Sequence, residues 1–327
     1  MTERERFIKT LRREPVPGYA PHFELVFFLT MEAFGRLHPE HRRYHQWDQM
    51  TASERALHLK DQAETLLMTA QKYNHSAIFL HVNPDRFENI AYVAELIREW
   101  GGDEYFLLLN RDPTFYIPGG DEMMKFSARL YEDQAGLHGE AKRNMAWNID
   151  FAQKMAARPG LIDGYAMCSD YCFNTNPFFS RDMFAEFIAP YLKETIAEYH
   201  KLGLYAIKHT DGNIMPIIDM IAGCGPDALH SLDPQGGVDL AEISRDWGDK
   251  MALCGNVNCG LLQTGTREEC EADVRRSLRE GMARGGGYIF CTSNCAYTGL
   301  PLERYELMHG IWREEGVYPS PSVANEP

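Results

Sequence analysis

Short apolar runs of strand length alternate along this chain with longer amphipathic stretches, and that rhythm restricts the fold more than any other feature. Repeated β-α units predict a parallel sheet, because parallel strands need a crossover segment between them. The expected strands are Phe23–Phe28, Ala77–Val82, Tyr105–Asn110, Gly164–Ser169, Tyr205–His209, Ala228–Leu232, Met251–Val257 and Tyr288–Thr292.

The intervening segments carry helix signals. Ser53–Tyr73 and Ile90–Trp100 read as helices, the second ended by Gly101 and Gly102. Residues 121–157 read as two helices broken near Gly136 and Gly139, after a Pro- and Gly-containing loop over Asp112–Gly120. Ser180 is placed to cap a long helix through Leu202. Ile214–Ile221 and Leu240–Trp247 are shorter helices, and Leu302–Glu315 is the last. Thr266 and Glu269 stand at capping-box spacing before a helix that reaches Arg284.

Eight strands with helices between them, and no GxGxxG turn, predict a closed (β/α)8 TIM barrel rather than a Rossmann sheet. The expected unit is a single domain over residues 1–318, with an N-terminal extension and a helical insertion after the third strand. Residues 319–327 are expected to form a disordered tail.

Composition narrows the function classes. A net charge of −14 argues against non-specific nucleic-acid binding, which needs basic patches. No apolar run approaches the roughly 18–20 residues that span a bilayer. Met1–Arg13 is charged and has no apolar leader core, so a cytoplasmic protein is expected. Eight cysteines in 327 residues do not make a disulfide scaffold; they read as free thiols, core residues or metal ligands.

In a barrel of this type the reactive groups come from the strand ends and the loops after them. The densest cluster is KHTDGN, Lys208 to Asn213. His209 and Asp211 are two apart and project to one side of an extended segment, as a metal half-site or a base with its orienting partner. The alternative is a polar strand end that caps the next helix. In FCTSNCAY, Cys291 lies within a strand and reads as core, whereas Cys295, past its end, reads as a ligand. Asp170 orients a ligand, binds substrate or caps loop amides. Glu24, in an apolar run, either faces the barrel mouth as ligand, acid or base, or pairs with a barrel lysine or arginine. His230 is out of phase with Asp233 and reads as a packed histidine. Asn213 and Asn256, at two strand ends, are candidate cofactor contacts. Phe115, Tyr116, Met123 and Met124 either line a pocket or pack over the rim.

The second half of the chain resembles the uroporphyrinogen decarboxylase superfamily. The resemblance rests on FFSRDMFAEFIAPYLKETIAEYHKLGL, KHTDGNI, HSLDPQGGVDL, LCGNVNCGLLQTGTREECEADVRRSL, GGGYIFCTSN and GLPLERYELMHGIWREEG, in that order. The arginine-rich N-terminal signature of true uroporphyrinogen decarboxylases is absent; HFELVFFLTMEAFG follows Pro21 instead. The chain is closer in character to the cobamide-dependent methyltransferases.

That resemblance implies a zinc site in which His209 takes the histidine position and Cys295 the later cysteine. Asp211 stands where the family has a cysteine, a harder donor that suits an oxygen-bearing substrate. It also implies a corrinoid on a partner protein and a small methylated substrate, with Glu24, Asp170 and Asp211 as candidate catalytic groups. The alternatives are a metal-free decarboxylase-like lyase and a non-catalytic member that binds a ligand.

Overall fold

The computed structural model describes residues 1–319. Its centre is a seven-stranded parallel sheet in simple sequential order. The strands are β1 (Ala77–Phe79), β2 (Phe106–Asn110), β3 (Gly164–Cys168), β4 (Tyr205–Thr210), β5 (Ala228–Ser231), β6 (Ala252–Val257) and β7 (Tyr288–Thr292). They coincide, within one to three residues at the ends, with the second to eighth expected strands.

The first expected strand, Phe23–Phe28, is not a regular strand. It forms isolated parallel bridges, His22 to Phe290 and Phe27 to Ala296. On its other side the His22 carbonyl accepts from Ser76 N–H, just before β1. The reason for the broken ladder is local. The Thr292 amide is taken at 3.2 Å by the Glu24 side chain instead of by a backbone carbonyl.

Alternation along the strands sorts the core. Ala77, Phe79, Phe106, Leu108, Ala166, Ile207, Ala228, Ala252, Cys254, Ile289 and Cys291 point to one interior cluster, with Phe23 and Leu25. Phe7 and Leu11 of the N-terminal helix Glu3–Leu11 join that cluster. This helix was not foreseen, although Thr2 and Glu5 form a capping box at its start. The opposite strand faces, including Leu107, Tyr165, Leu229, Leu253 and Phe290, pack against the helices.

Most helices fall where caps and periodicity place them. Ala52–Tyr73, Leu240–Trp247, Arg267–Gly281 and Leu302–Glu315 are examples, and Thr266 with Glu269 closes a capping box. The insertion departs from expectation. Its helices, Glu122–Glu132 and Gln134–Ala156, divide at Asp133, whose side chain accepts from Gly136 N–H. Gly136 and Gly139 therefore lie inside the second helix, where glycine costs only about 1 kcal/mol against alanine. After Ser180 the long helix widens into a π turn over Phe184–Ile188 before Ala189–Lys201. Pro190 has no N–H to return to the preceding turn, which accounts for that widening. The tail expected from Pro319 lies, beyond that residue, outside the described residues.

Candidate active site

The C-terminal ends of β3, β4 and β5 bring the chemistry together. Cys168 pairs with His209, and His209 with His230, in the strand register. Residues of one phase point the same way, so Asp170, His209, Asp211 and His230 follow Ala166, Ile207 and Ala228 toward the interior, at its upper rim. Gly212 then turns the chain at φ 78°. A β-carbon there would lie 2.6 Å from the Cys172 and Phe173 carbonyls, so no other residue fits without backbone movement.

Asp170, His209 and Asp211 form a group in which one ligand atom from each lies within 4.8 Å of the others. His209 Nε2 is 3.7 Å from Asp170 Oδ1 and 3.8 Å from Asp211 Oδ1. These spacings are too long for direct hydrogen bonds. They are close to the ~3.4 Å that separates two ligands each about 2.1 Å from a tetrahedral zinc. The donor set, one imidazole and two carboxylates, thus fits a divalent cation.

Each member is held from behind. Ser231 Oγ donates to Asp211 Oδ1 at 2.5 Å, and Asn294 Nδ2 donates to Oδ2. The Asp211 amide donates to Asp170 Oδ1 at 3.1 Å. Burial pushes the Asp211 carboxyl upward; His209 opposes that shift and Asp170 adds to it. His209 Nδ1 meets His230 Nδ1 at 2.8 Å. His230 is fully buried, and burial, reinforced by His209, holds it well below the usual histidine range. Ser231 and Leu232, just after, have φ of 92° and 52°. Such left-handed residues cost ~1–3 kcal/mol each and persist where surrounding contacts demand them.

Cys295 is not part of that converged group. It lies past β7, and burial pushes its thiol up, with Cys259, Glu24, Asp211 and Glu40 adding to the shift. Glu24 also lies elsewhere. It shares the phase of His22, whose ring packs on Trp312, rather than that of Phe23 and Leu25. Its carboxyl accepts from the Thr292 amide and, at 2.5 Å, from Thr292 Oγ1. Burial without a cation raises it to about 8, against which the two Thr292 bonds pull. Lys208, on β4, pairs instead with Asp112: its Nζ lies 2.8 Å from the carboxylate, and both side chains are buried.

The candidate cofactor residues have their amides engaged. Asn213 donates to Thr175 O and accepts from Met215 N–H. Asn256, fully buried, donates to Leu232 O and accepts from Arg276. Two cavities open at the same rim and meet at Asn110 and Arg111. Glu40, Arg43 and His81 line one; Thr114, Tyr116, Trp147 and Cys168 line the other. Of the insertion residues, Tyr116 reaches the cavity wall, Phe115 packs on Phe126, and Met124 stands in solvent.

Residues 116–314, more than half of the chain, match the model of the uroporphyrinogen decarboxylase family. The chain belongs to the uroporphyrinogen decarboxylase family. Among solved structures, a methyltransferase from Methanosarcina mazei superposes with a TM-score of 0.73 at 16% identity, over 96% of this chain and 99% of that one. That likeness shows a shared α/β fold. More remote is a β-mannanase from the blue mussel Mytilus edulis, with a TM-score of 0.46 at 9% identity over 87% and 91% of the two chains. No curated protein matches the chain. No helix among the described residues is long and apolar enough to cross a membrane.

Proposed function

We propose that this family member is a zinc-dependent methyltransferase or demethylase, moving a methyl group between a small methylated substrate and a corrinoid on a partner protein. The supporting observation is the convergence of Asp170, His209 and Asp211 at the strand ends. The end-to-end match to a methyltransferase fold agrees with it. His209, Asp211 and Asp170 would hold the zinc, with Cys295 beside them as the thiol that the family resemblance assigns. When bound, zinc supplies Lewis acidity to the heteroatom that carries or accepts the methyl group. The corrinoid supplies the methyl-carrying cobalt.

The chain's own residues set the frame for that chemistry. Ser231 and Asn294 fix both Asp211 oxygens, and the Asp211 amide fixes Asp170. His230 fixes the plane of the His209 ring. The paired cavities at Asn110 and Arg111 give a small substrate room beside the group. In the same reading Phe23–Phe28 serves as the eighth stave of a closed barrel, and the protein works in the cytoplasm.

A metal-free lyase is the second reading. The upward-shifted Asp211 carboxyl beside His209 favours it, because such a pair can hold and move a proton without a cation.

The deciding experiment measures metal content and methyl transfer from methoxy donors to cob(I)alamin, wild type beside His209→Ala. About one zinc at this site, with transfer, both lost in the variant, supports the methyltransferase. Retained metal and full transfer in the variant would remove His209 from the mechanism. Turnover unaffected by chelators would favour the lyase.

A further inference from the structure

A second group of ligand-type side chains lies outside the β3–β5 centre. His38, Glu40 and His81 each offer a ligand atom, all within 4.8 Å of one another. None of them belongs to the Asp170–His209–Asp211 group. His81 follows β1; His38 and Glu40 come from the irregular connection before the Ala52–Tyr73 helix. The long chain separation argues that the fold itself assembles the group.

The side chains are already converged. His81 Nδ1 lies 2.7 Å from Glu40 Oε2, and the His38 and His81 rings meet edge-on at 5.4 Å between centroids. Phe28 and Phe79 pack against the His38 and His81 rings and limit their rotation. His38 is buried, and its one polar bond among the described residues is a long one, 3.3 Å, from the Glu40 amide. A bond of that length yields readily to a cation.

We propose that His38, Glu40 and His81 form a second metal site, for a divalent transition cation of the zinc class, separate from the Asp170–His209–Asp211 centre. Two imidazoles and one carboxylate are a donor set that zinc accepts with a fourth position left open. Glu40 and His81 also line the cavity that holds Arg43, Asn110 and Arg111, so the group borders that cavity. Of the two guanidinium groups on the wall, Arg111 pairs with Asp85 at 3.0 Å, which leaves Arg43 to meet an oxyanion such as a substrate carboxylate.

The site does not depend on the methyltransferase reading, and its test keeps the two apart. Chelator-stripped full-length protein is titrated with Co2+ alone, followed by its visible absorption. In an Asp170→Asn, His209→Ala, Asp211→Asn background, one equivalent of Co2+ is expected to bind still. Adding Glu40→Gln, which keeps a hydrogen bond to His81, should weaken that binding at least tenfold. Paramagnetic shifts of the His38 and His81 ring protons in the wild type give a readout that survives misfolding of any variant. No binding in the triple variant together with unshifted His38 and His81 rings in the wild type would overturn the site. So would binding that neither Glu40→Gln nor His81→Asn changes. Loss confined to the His209 series, by contrast, speaks only to the first centre.

Discussion

His209 on β4 and His230 on β5 stand opposite one another in the strand register and meet through their Nδ1 atoms at 2.8 Å. One ring must donate and the other accept, so the tautomer of each depends on its partner. His230 Nε2 is buried with no partner of its own among the described residues. The pairing therefore serves His209 at some cost to His230.

This asymmetry predicts a separation of stability from function. His230→Leu removes an unpartnered buried nitrogen but also strips His209 Nδ1 of its partner, so the fold should lose no more than about 1–3 kcal/mol. Metal affinity at His209 should fall ~10-fold or more, because the outer partner that orients a ligand is gone. Thermal melts beside metal titrations check both halves. Unchanged affinity would show that His230 merely packs.

The buried pair Lys208–Asp112 carries the second prediction. Lys208 Nζ also donates to the Met167 and Ser169 carbonyls and lies over the Tyr171 ring. Lys208→Met leaves Asp112 charged and buried, which costs on the order of 3–5 kcal/mol. Asp112→Asn in the same chain should recover part of that loss. Urea unfolding of the single and double variants measures it; equal stability of both would contradict the argument.

How much of this was legible beforehand differs by residue. Tyr288–Thr292 and Arg267–Gly281 were readable because alternation, caps and glycine stops are local signals. His209 and Asp211 were readable as a pair because two-residue spacing decides their side of a strand. The meeting of Asp170 with them depends on how β3 registers against β4, which no local pattern encodes. His230 was judged against Asp233 in its own strand, when its partner lay across the ladder. For Glu24 a carboxylate in an apolar run left two readings open, a group at the barrel mouth or the partner of a lysine or arginine, and neither foresaw its two bonds to Thr292. Glu40 sits in a three-residue 3-10 helix, Pro39–His41, too short for periodicity to show.

Glu24 gives a prediction in pH. Its folded-state value is about 8, above the ordinary 4.5 of the unfolded chain. The folded state therefore keeps a proton that the unfolded state releases between those values. Stability from this group is full below about pH 4.5 and is lost as pH rises to about 8, with a slope of up to ~1.4 kcal/mol per pH unit. Glu24→Gln preserves the Thr292 contacts without the charge. Its urea midpoint should match wild type near pH 4.5 and exceed it at pH 8. Parallel profiles for the two proteins would mean that Glu24 does not titrate in this range.

The last prediction sets geometry against resemblance at the metal centre. Family resemblance assigns the third ligand to Cys295, whereas the converged group contains Asp170. The Asp170 oxygen is already 3.7 Å from His209 Nε2 and is held by the Asp211 amide, so little reorganisation separates it from a ligand position. Cys295 lies outside that group, with its thiol held protonated by burial and by Cys259, Glu24, Asp211 and Glu40. It must lose that proton before it can bind. Asp170→Asn is therefore expected to weaken zinc binding at least tenfold, and Cys295→Ser to weaken it less. Competition titration against a chromophoric chelator ranks the two. The opposite order would show that the centre rearranges around the thiol when metal enters, and that Asp170 acts on the substrate rather than on the cation.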